Sequence, residues 1–243
     1  MRRVGRPRVH ARLMDSTNAR AKALAGAGAP HGTLITASEQ TAGRGRQGRA
    51  WTAPPDSAVS MSLVVRDLEE RHAILPLAAA VAVCEAVEEL TQVRCEIKWP
   101  NDVWIDGRKL AGILVEGRPQ DGWAVLGIGL NVLTAEFPPE LADTATSLAL
   151  ATPGAPPPVE AVLEALVAAF GTWLERGPGE VLPAWRARDA LRGQTVRWDG
   201  GSGTAAGVDE SGALLVDTDA GRVALGAGEV HLGPTTDARR PTT

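Results

Sequence analysis

The apolar residues of this chain come mostly in short runs of strand length, and only two stretches keep helical spacing for several turns. That mixture calls for a sheet built from many strands, with a few helices packed against it. The first helical stretch is Leu75 to Leu90, where Leu77, Val81, Cys84 and Val87 fall near one face and Pro76 suits the first turn. The second follows the connector TPGAPPP, with Val159, Val162, Leu163, Leu166, Phe170, Trp173 and Leu174 at helical intervals. Gly177-Pro178 is expected to end it, and a shorter helix to run from about Glu180 to Leu191. Another helix opens at DSTN, where Asp15 or Ser16 can cap a run of alanines.

The strand-like runs are GTLITASEQ, SAVSMSLVVRD, VRCEIKW and GWAVLGIGLNV. NDVWIDGRKLAGILVEG has the form of a hairpin, because Asp106-Gly107 is a turn signal between two apolar runs. From Gly193 to Leu232 the texture changes to five short β-type runs separated by glycine and aspartate, the pattern of a small SH3-like β-barrel. Such a unit is marginal unless it docks on a larger body. The fold class expected is therefore α+β, a mixed but mainly antiparallel sheet with helices packed on one face. The large α+β part spans 1–190, the small β domain 191–235 and a disordered tail 236–243. The basic start, MRRVGRPRVHAR, reads as a short solvated arm without the apolar core of a secretory signal.

Net charge is -4, so nothing global points to nucleic acid or to an anionic membrane. No apolar run is long enough to span a bilayer. The two cysteines, Cys84 and Cys95, have no metal-type spacing and read as buried, reduced thiols of a cytoplasmic protein. Any anion site must then be local, and QTAGRGRQGRAW concentrates positive charge on a flexible backbone between two apolar segments. Its glycines allow close approach, and guanidinium forks with backbone N–H groups can wrap phosphate oxygens. It is neither a Walker loop nor a dinucleotide fingerprint. On composition alone a solvated surface loop is slightly the better reading, with Trp51 plugging the core.

Two more constellations carry chemistry. In KWPNDVWIDGRKLAGILVE, Asp102 is a hard oxygen ligand for a divalent cation or a turn cap, and Lys109 opens an apolar strand as a functional or an edge lysine. Gly112 in mid-strand signals that a ligand or another backbone comes close. In GIGLNV, Gly127 and Gly129 say the same, and Asn131 can read an adenine edge or make a turn.

Taken together, DSTN, QTAGRGRQGRAW, KWPNDVW, KLAGILVE and GIGLNV at these separations closely resemble the biotin protein ligase family. The resemblance implies a ligase that uses ATP to form biotinyl-5′-AMP and moves the biotinyl group to one lysine of a biotin carboxyl carrier domain. By motif position, Ser16, Thr17, Asn18, Gln40, Arg44, Gly45, Arg46, Lys109 and Gly112 would meet biotin. Arg44, Arg46, Arg49, Trp51, Lys109 and Asn131 would meet ATP or the adenylate, and Asp102 would help to hold Mg²⁺. Lys109 and Arg46 would be catalytic. Two positions depart from the family pattern: Arg20, where an aromatic is often found, and Gln47, often basic or histidine. About a dozen residues precede LMDSTN, too few for a DNA-binding helix-turn-helix, so the short class that does not bind DNA is expected, with monomer or homodimer left open. Two rivals stand beside this reading. One is a lipoate ligase or cysteine-dependent octanoyltransferase of the same fold; the other is a nucleic-acid-binding module using the arginine loop.

Overall fold

The computed structural model describes residues 4–226, 228 and 230–232. The expected tail 236–243 lies outside them. Seven strands form the large sheet: β1 (Arg8–Met14), β2 (Leu34–Gln40), β3 (Ala58–Arg66), β4 (Glu96–Lys98), β5 (Asp102–Ile105), β6 (Arg108–Arg118) and β7 (Trp123–Asn131). Their order is β1-β2-β3-β7-β6-β5-β4, parallel between β1 and β2 and antiparallel elsewhere. The helices are α1 (Thr17–Gly26), α2 (Leu75–Leu90), α3 (Leu148–Ala151), α4 (Val159–Trp173) and α5 (Pro178–Arg186).

Strand periodicity decides where everything sits. Along β3, Val59, Met61, Leu63 and Val65 point to one face, and along β7, Ala124, Leu126, Ile128 and Leu130 join them. The long helices α2 and α4 pack on that face and bury the main core. The other face carries Ser62 and Val64 of β3, then Trp123, Val125, Gly127, Gly129 and Asn131 of β7. Here α1 packs, through Ala21 and Ala25 against Ile35, Val64, Trp123 and Val125. The helices thus do not all share a face. A ten-residue helix with alanine at every second position from Ala19 to Ala25 covers only half of its side, and the glycine half of β7 stays open.

Three local readings change. Arg8–Met14 is no solvated arm but the parallel edge strand. Arg8, His10 and Arg12 at alternate positions give it the look of a polar tail, and charge is how an exposed edge resists further pairing. Gly177-Pro178 opens α5 rather than ending α4, with proline in the first turn where its missing N–H costs nothing. That helix stops at Arg186, short of the expected Leu191. The Asp106-Gly107 turn forms as expected, with both residues at positive φ, 49° and 73°.

The C-terminal strands β8 (Thr195–Trp198), β9 (Gly201–Val208), β10 (Leu214–Thr218), β11 (Gly221–Leu225) and β12 (His231–Leu232) form a five-stranded antiparallel sheet. It does not stand alone. Val196, Ala205, Val208, Leu214 and Val216 continue the main core. Ile97 exchanges backbone hydrogen bonds with Arg188 and Ala190, and Trp99 Nε1 donates to the Gly212 carbonyl at 3.0 Å.

Candidate functional site

The open half of the sheet holds the site. Gly127 and Gly129 leave the β7 backbone bare, and both absences are filled. A Cβ on Gly127 would stand 2.0 Å from Asn18 Oδ1, and one on Gly129 would stand 2.2 Å from Trp51 Cε2. The tryptophan ring therefore lies flat on the Gly129 backbone, with its edge over Gly112 of β6.

Lys109 reaches the same spot by a β-bulge. Val103 faces Ala111 and Trp104 faces Lys109, so Leu110 is the extra residue on β6. Without that insertion Lys109 would share the core-facing parity of Ala111 and Ile113. With it, Leu110 enters the core and Lys109 turns to the open face. Its Nζ lies 2.8 Å from Asp102 Oδ1 and 5.9 Å from the centre of the Trp51 ring. The segment Thr144–Thr146 clamps the bulge, since Lys109 N donates to Thr144 O and Thr146 N donates to Lys109 O, both at 2.8 Å.

The arginine loop folds back on itself. Gly45 N donates to Arg49 O at 2.7 Å and Trp51 N to Gly43 O at 2.9 Å. Gln47 and Gly48 turn the tip at positive φ, 55° and 75°. From this turn Arg46 donates to Asn101 Oδ1 at 3.0 Å and to the Gly228 carbonyl of the C-terminal unit at 3.2 Å.

Two cavities meet at that point. The narrow one, about 50 Å³, is lined by all nine residues that the resemblance assigns to biotin. The wide one, about 1050 Å³, is lined by Arg46, Arg49, Trp51, Lys109 and Asn131, with Asp102 on its wall. Arg44, assigned to both ligands, lines the narrow cavity but not the wide one. Gly45, Arg46, Trp51, Asn101 and Lys109 border both. Sequence reasoning missed Asn101 as the residue that seats Arg46; the charged turn in KWPND was the signal for it. It also missed Phe137, Pro138 and Leu141, an apolar wall of the wide cavity from a polar-looking loop.

The inner end of the narrow cavity is polar and buried. Thr17 N and Oγ1 both donate to Gln40 Oε1, at 2.8 and 3.2 Å. Ser62, fully buried, touches Thr17 Oγ1 at 2.8 Å and Asn18 Oδ1 at 2.5 Å. Asn18 Nδ2 donates to Glu116 Oε2 at 3.0 Å, and Lys22 pairs with the other oxygen of Glu116. Burial pushes the Glu116 carboxyl up, but hydrogen bonds from Lys22 and Asn18 and the charges of Lys22 and Arg44 outweigh it and hold it below the ordinary range. Asn131, on the wall of the wide cavity, donates its Nδ2 to Thr146 O at 3.0 Å. Cys84 and Cys95 line neither cavity. Both are buried, and burial, with Cys95 as neighbour, pushes the Cys84 thiol up, the reverse of what a nucleophile needs.

The family model for the biotin/lipoate A/B protein ligase family matches residues 10–132, which contain every residue placed at the site so far except the 134–146 wall and Gly228. The chain belongs to that family. A second model, the biotin protein ligase C terminal domain, matches 191–233 of this ligase. The chain is 38% identical over 234 residues to the biotin–[acetyl-CoA-carboxylase] ligase of Mycobacterium tuberculosis, covering 89% of this chain and 86% of that one. It is 34% identical over 245 residues to the bifunctional ligase/repressor BirA of Bacillus subtilis, covering 95% and 75%. Its structure is similar to that of the biotin protein ligase from Aquifex aeolicus in complex with biotin and ATP, with a TM-score of 0.83, 30% identity and coverage of 94% and 99%.

Proposed function

We propose that this chain is a biotin–[biotin carboxyl-carrier protein] ligase, which activates biotin with ATP and passes the biotinyl group to a lysine of a carrier domain. One observation carries the reading. The narrow polar pocket and the wide cationic cleft share a wall, and that wall holds Lys109 and Arg46. Biotin would seat its ring system against Thr17, Asn18 and Gln40 and direct its carboxylate to the shared wall. ATP would lie in the wide cleft, its base by Asn131 and the apolar wall.

The chemistry then needs no protein nucleophile. A carboxylate oxygen of biotin attacks the α-phosphorus, the bond to the bridging oxygen breaks, and pyrophosphate leaves. Two anions must meet, and Lys109 and Arg46 stand where that repulsion has to be offset. In the second step the amine of the carrier lysine attacks the acyl carbon, AMP leaves with the bonding pair, and the amine nitrogen loses a proton. Asp102 fits an ion that arrives with the nucleotide. It offers one carboxylate beside the phosphate site, and among the described residues there is no group of three His, Cys, Asp or Glu able to hold a metal by themselves. Bound there with phosphate oxygens, Mg²⁺ would supply Lewis-acid charge neutralisation.

At about 50 Å³ the narrow cavity is well below the few hundred Å³ usual for a small-molecule site. In this reading Trp51 and the arginine loop swing outward to admit biotin and then close as a lid. Closure would shield the mixed anhydride from water. Ordering the loop once serves both ligands, so biotin should tighten ATP binding. We further propose a cytoplasmic setting, in keeping with the two free thiols, no role in DNA binding, and either monomer or homodimer. No helix among the described residues is long and apolar enough to cross a membrane. The buried cysteines weigh against the octanoyltransferase alternative.

Mass spectrometry of the protein incubated with biotin, ATP and Mg²⁺ should show retained biotinyl-5′-AMP, with pyrophosphate released only when biotin is present. Lys109→Ala should slow that release about a thousandfold, far more than it weakens ATP binding. Pyrophosphate release at the wild-type rate in the variant would remove Lys109 from the mechanism. Failure of biotin to trigger release in the wild type would overturn the function.

A further inference from the structure

Glu116 lies outside the narrow pocket, yet the pocket's hydrogen-bond polarity leads back to it. Asn18 Nδ2 faces the Glu116 carboxylate at 3.0 Å and the Leu114 carbonyl at 3.5 Å. Both are acceptors only, so the amide must turn its nitrogen to them and its oxygen to Ser62. Ser62 has one proton and two oxygen neighbours. Asn18 Oδ1, at 2.5 Å, can only accept, so the proton goes there rather than to Thr17 Oγ1 at 2.8 Å. On the far side, the Thr17 backbone N–H fixes the Gln40 amide the same way, with Oε1 toward Thr17. The Thr17 proton is then used inside the network, toward Ser62 or Gln40. What remains for a ligand is an acceptor, Thr17 Oγ1, beside a donor, Gln40 Nε2.

We infer that Glu116, held by Lys22, is a positioning residue that sets this acceptor–donor order and so selects a ligand presenting an N–H next to a carbonyl. The inference rests on biotin, a cyclic urea, being the occupant of the narrow pocket. With Glu116 gone, Asn18 is free to flip. Its Nδ2 would then face Ser62, and the Ser62 proton would turn to Thr17 and compete with the ligand's N–H for the Thr17 oxygen. Removal of Ser62 should undo that competition, which no general weakening of the fold would do.

The test is calorimetric titration of biotin into wild type, Glu116→Ala, Glu116→Gln, Ser62→Ala and the double variant Glu116→Ala with Ser62→Ala, with the KM for ATP measured beside it. Glu116→Ala should weaken biotin about tenfold, the worth of one misdirected hydrogen bond, with the KM for ATP unchanged. Glu116→Gln, which keeps an acceptor for Asn18, should stay within about threefold of wild type. Ser62→Ala alone should weaken biotin less than Glu116→Ala does, and it should recover most of the loss in the double variant. If the alanine variant does not fold, Glu116→Met replaces it. Wild-type affinity without the carboxylate, equal losses for alanine and glutamine, or additive losses in the double variant would each overturn the relay. A wild-type protein that binds no biotin would instead sink the functional reading beneath it.

Discussion

The two cavities at the site are built on opposite principles. The inner end of the narrow pocket is made by short side chains on regular elements, the first turn of α1 and Gly127 in the middle of the sheet, and only its mouth is closed by the arginine loop, Trp51 and Lys109. Its polar atoms pair with one another except for an acceptor on Thr17 and a donor on Gln40, and it is nearly closed. The wide cleft is walled by long cations and by loops, from the arginine turn, the 134–146 segment and the C-terminal unit. A vitamin ring of fixed shape is best read by a rigid, pre-paired surface. A flexible triphosphate is best held by charges that can follow it, and a lid must come from the mobile side.

That contrast can be broken from either side. Gly127→Val should have the largest effect. Its added carbons would enter the space of Asn18 Oδ1, 2.0 Å from the ideal Cβ position, and displace the side chain. Biotin affinity should fall about a hundredfold or more, while ATP binding measured on the same sample stays within a few-fold. Comparable loss of both ligands would mean that the cavities are not separable. Arg46→Gly acts at the shared wall. It removes the contacts to Asn101 and Gly228 that pin the arginine turn, so the adenylate should escape and label unrelated lysines. A streptavidin blot of a bystander protein would show this, and an unlabelled bystander would refute the lid. The smallest change should follow Arg8→Ala, remote from both cavities. Arg8 pairs with Glu160 on α4, and the hydrogen bond from Arg8 is the chief reason that the carboxyl sits below its usual range. A depressed carboxyl stabilises the fold above its unfolded value and loses that contribution as pH falls through its folded value. The pair is largely exposed, so it should contribute about 0.5 kcal/mol at neutral pH and nothing in acid, read as a difference in denaturation midpoint between wild type and variant. A variant with altered activity would show that the β1 edge is coupled to the site.

Much of this was legible in the chain. The extents of α2 and β7, the Asp106-Gly107 turn and the five C-terminal runs follow from local periodicity and turn chemistry, which need only neighbours in sequence. The arginine loop was not legible from its composition, which slightly favoured a solvated surface loop; it pointed to a site only through the resemblance carried by the five motifs together. What escaped was set by partners far away. β1 hides behind its arginines because an edge strand keeps one side in water. Phe137 and Leu141 looked like loop residues because nothing near them says that a cavity lies below.

By itself the sequence determined the kinds of element, their order and the residues able to do the chemistry, since propensity and charge are properties of short segments. Only the tertiary structure decided that Lys109 faces the site, because a single bulged residue on β6 reverses a two-residue period. It also decided that α1 takes the opposite face from α2 and α4, and that Glu116 is tied to Asn18 ninety-eight residues away. Such pairings depend on register across the sheet, and register is fixed only when every strand has found its neighbour.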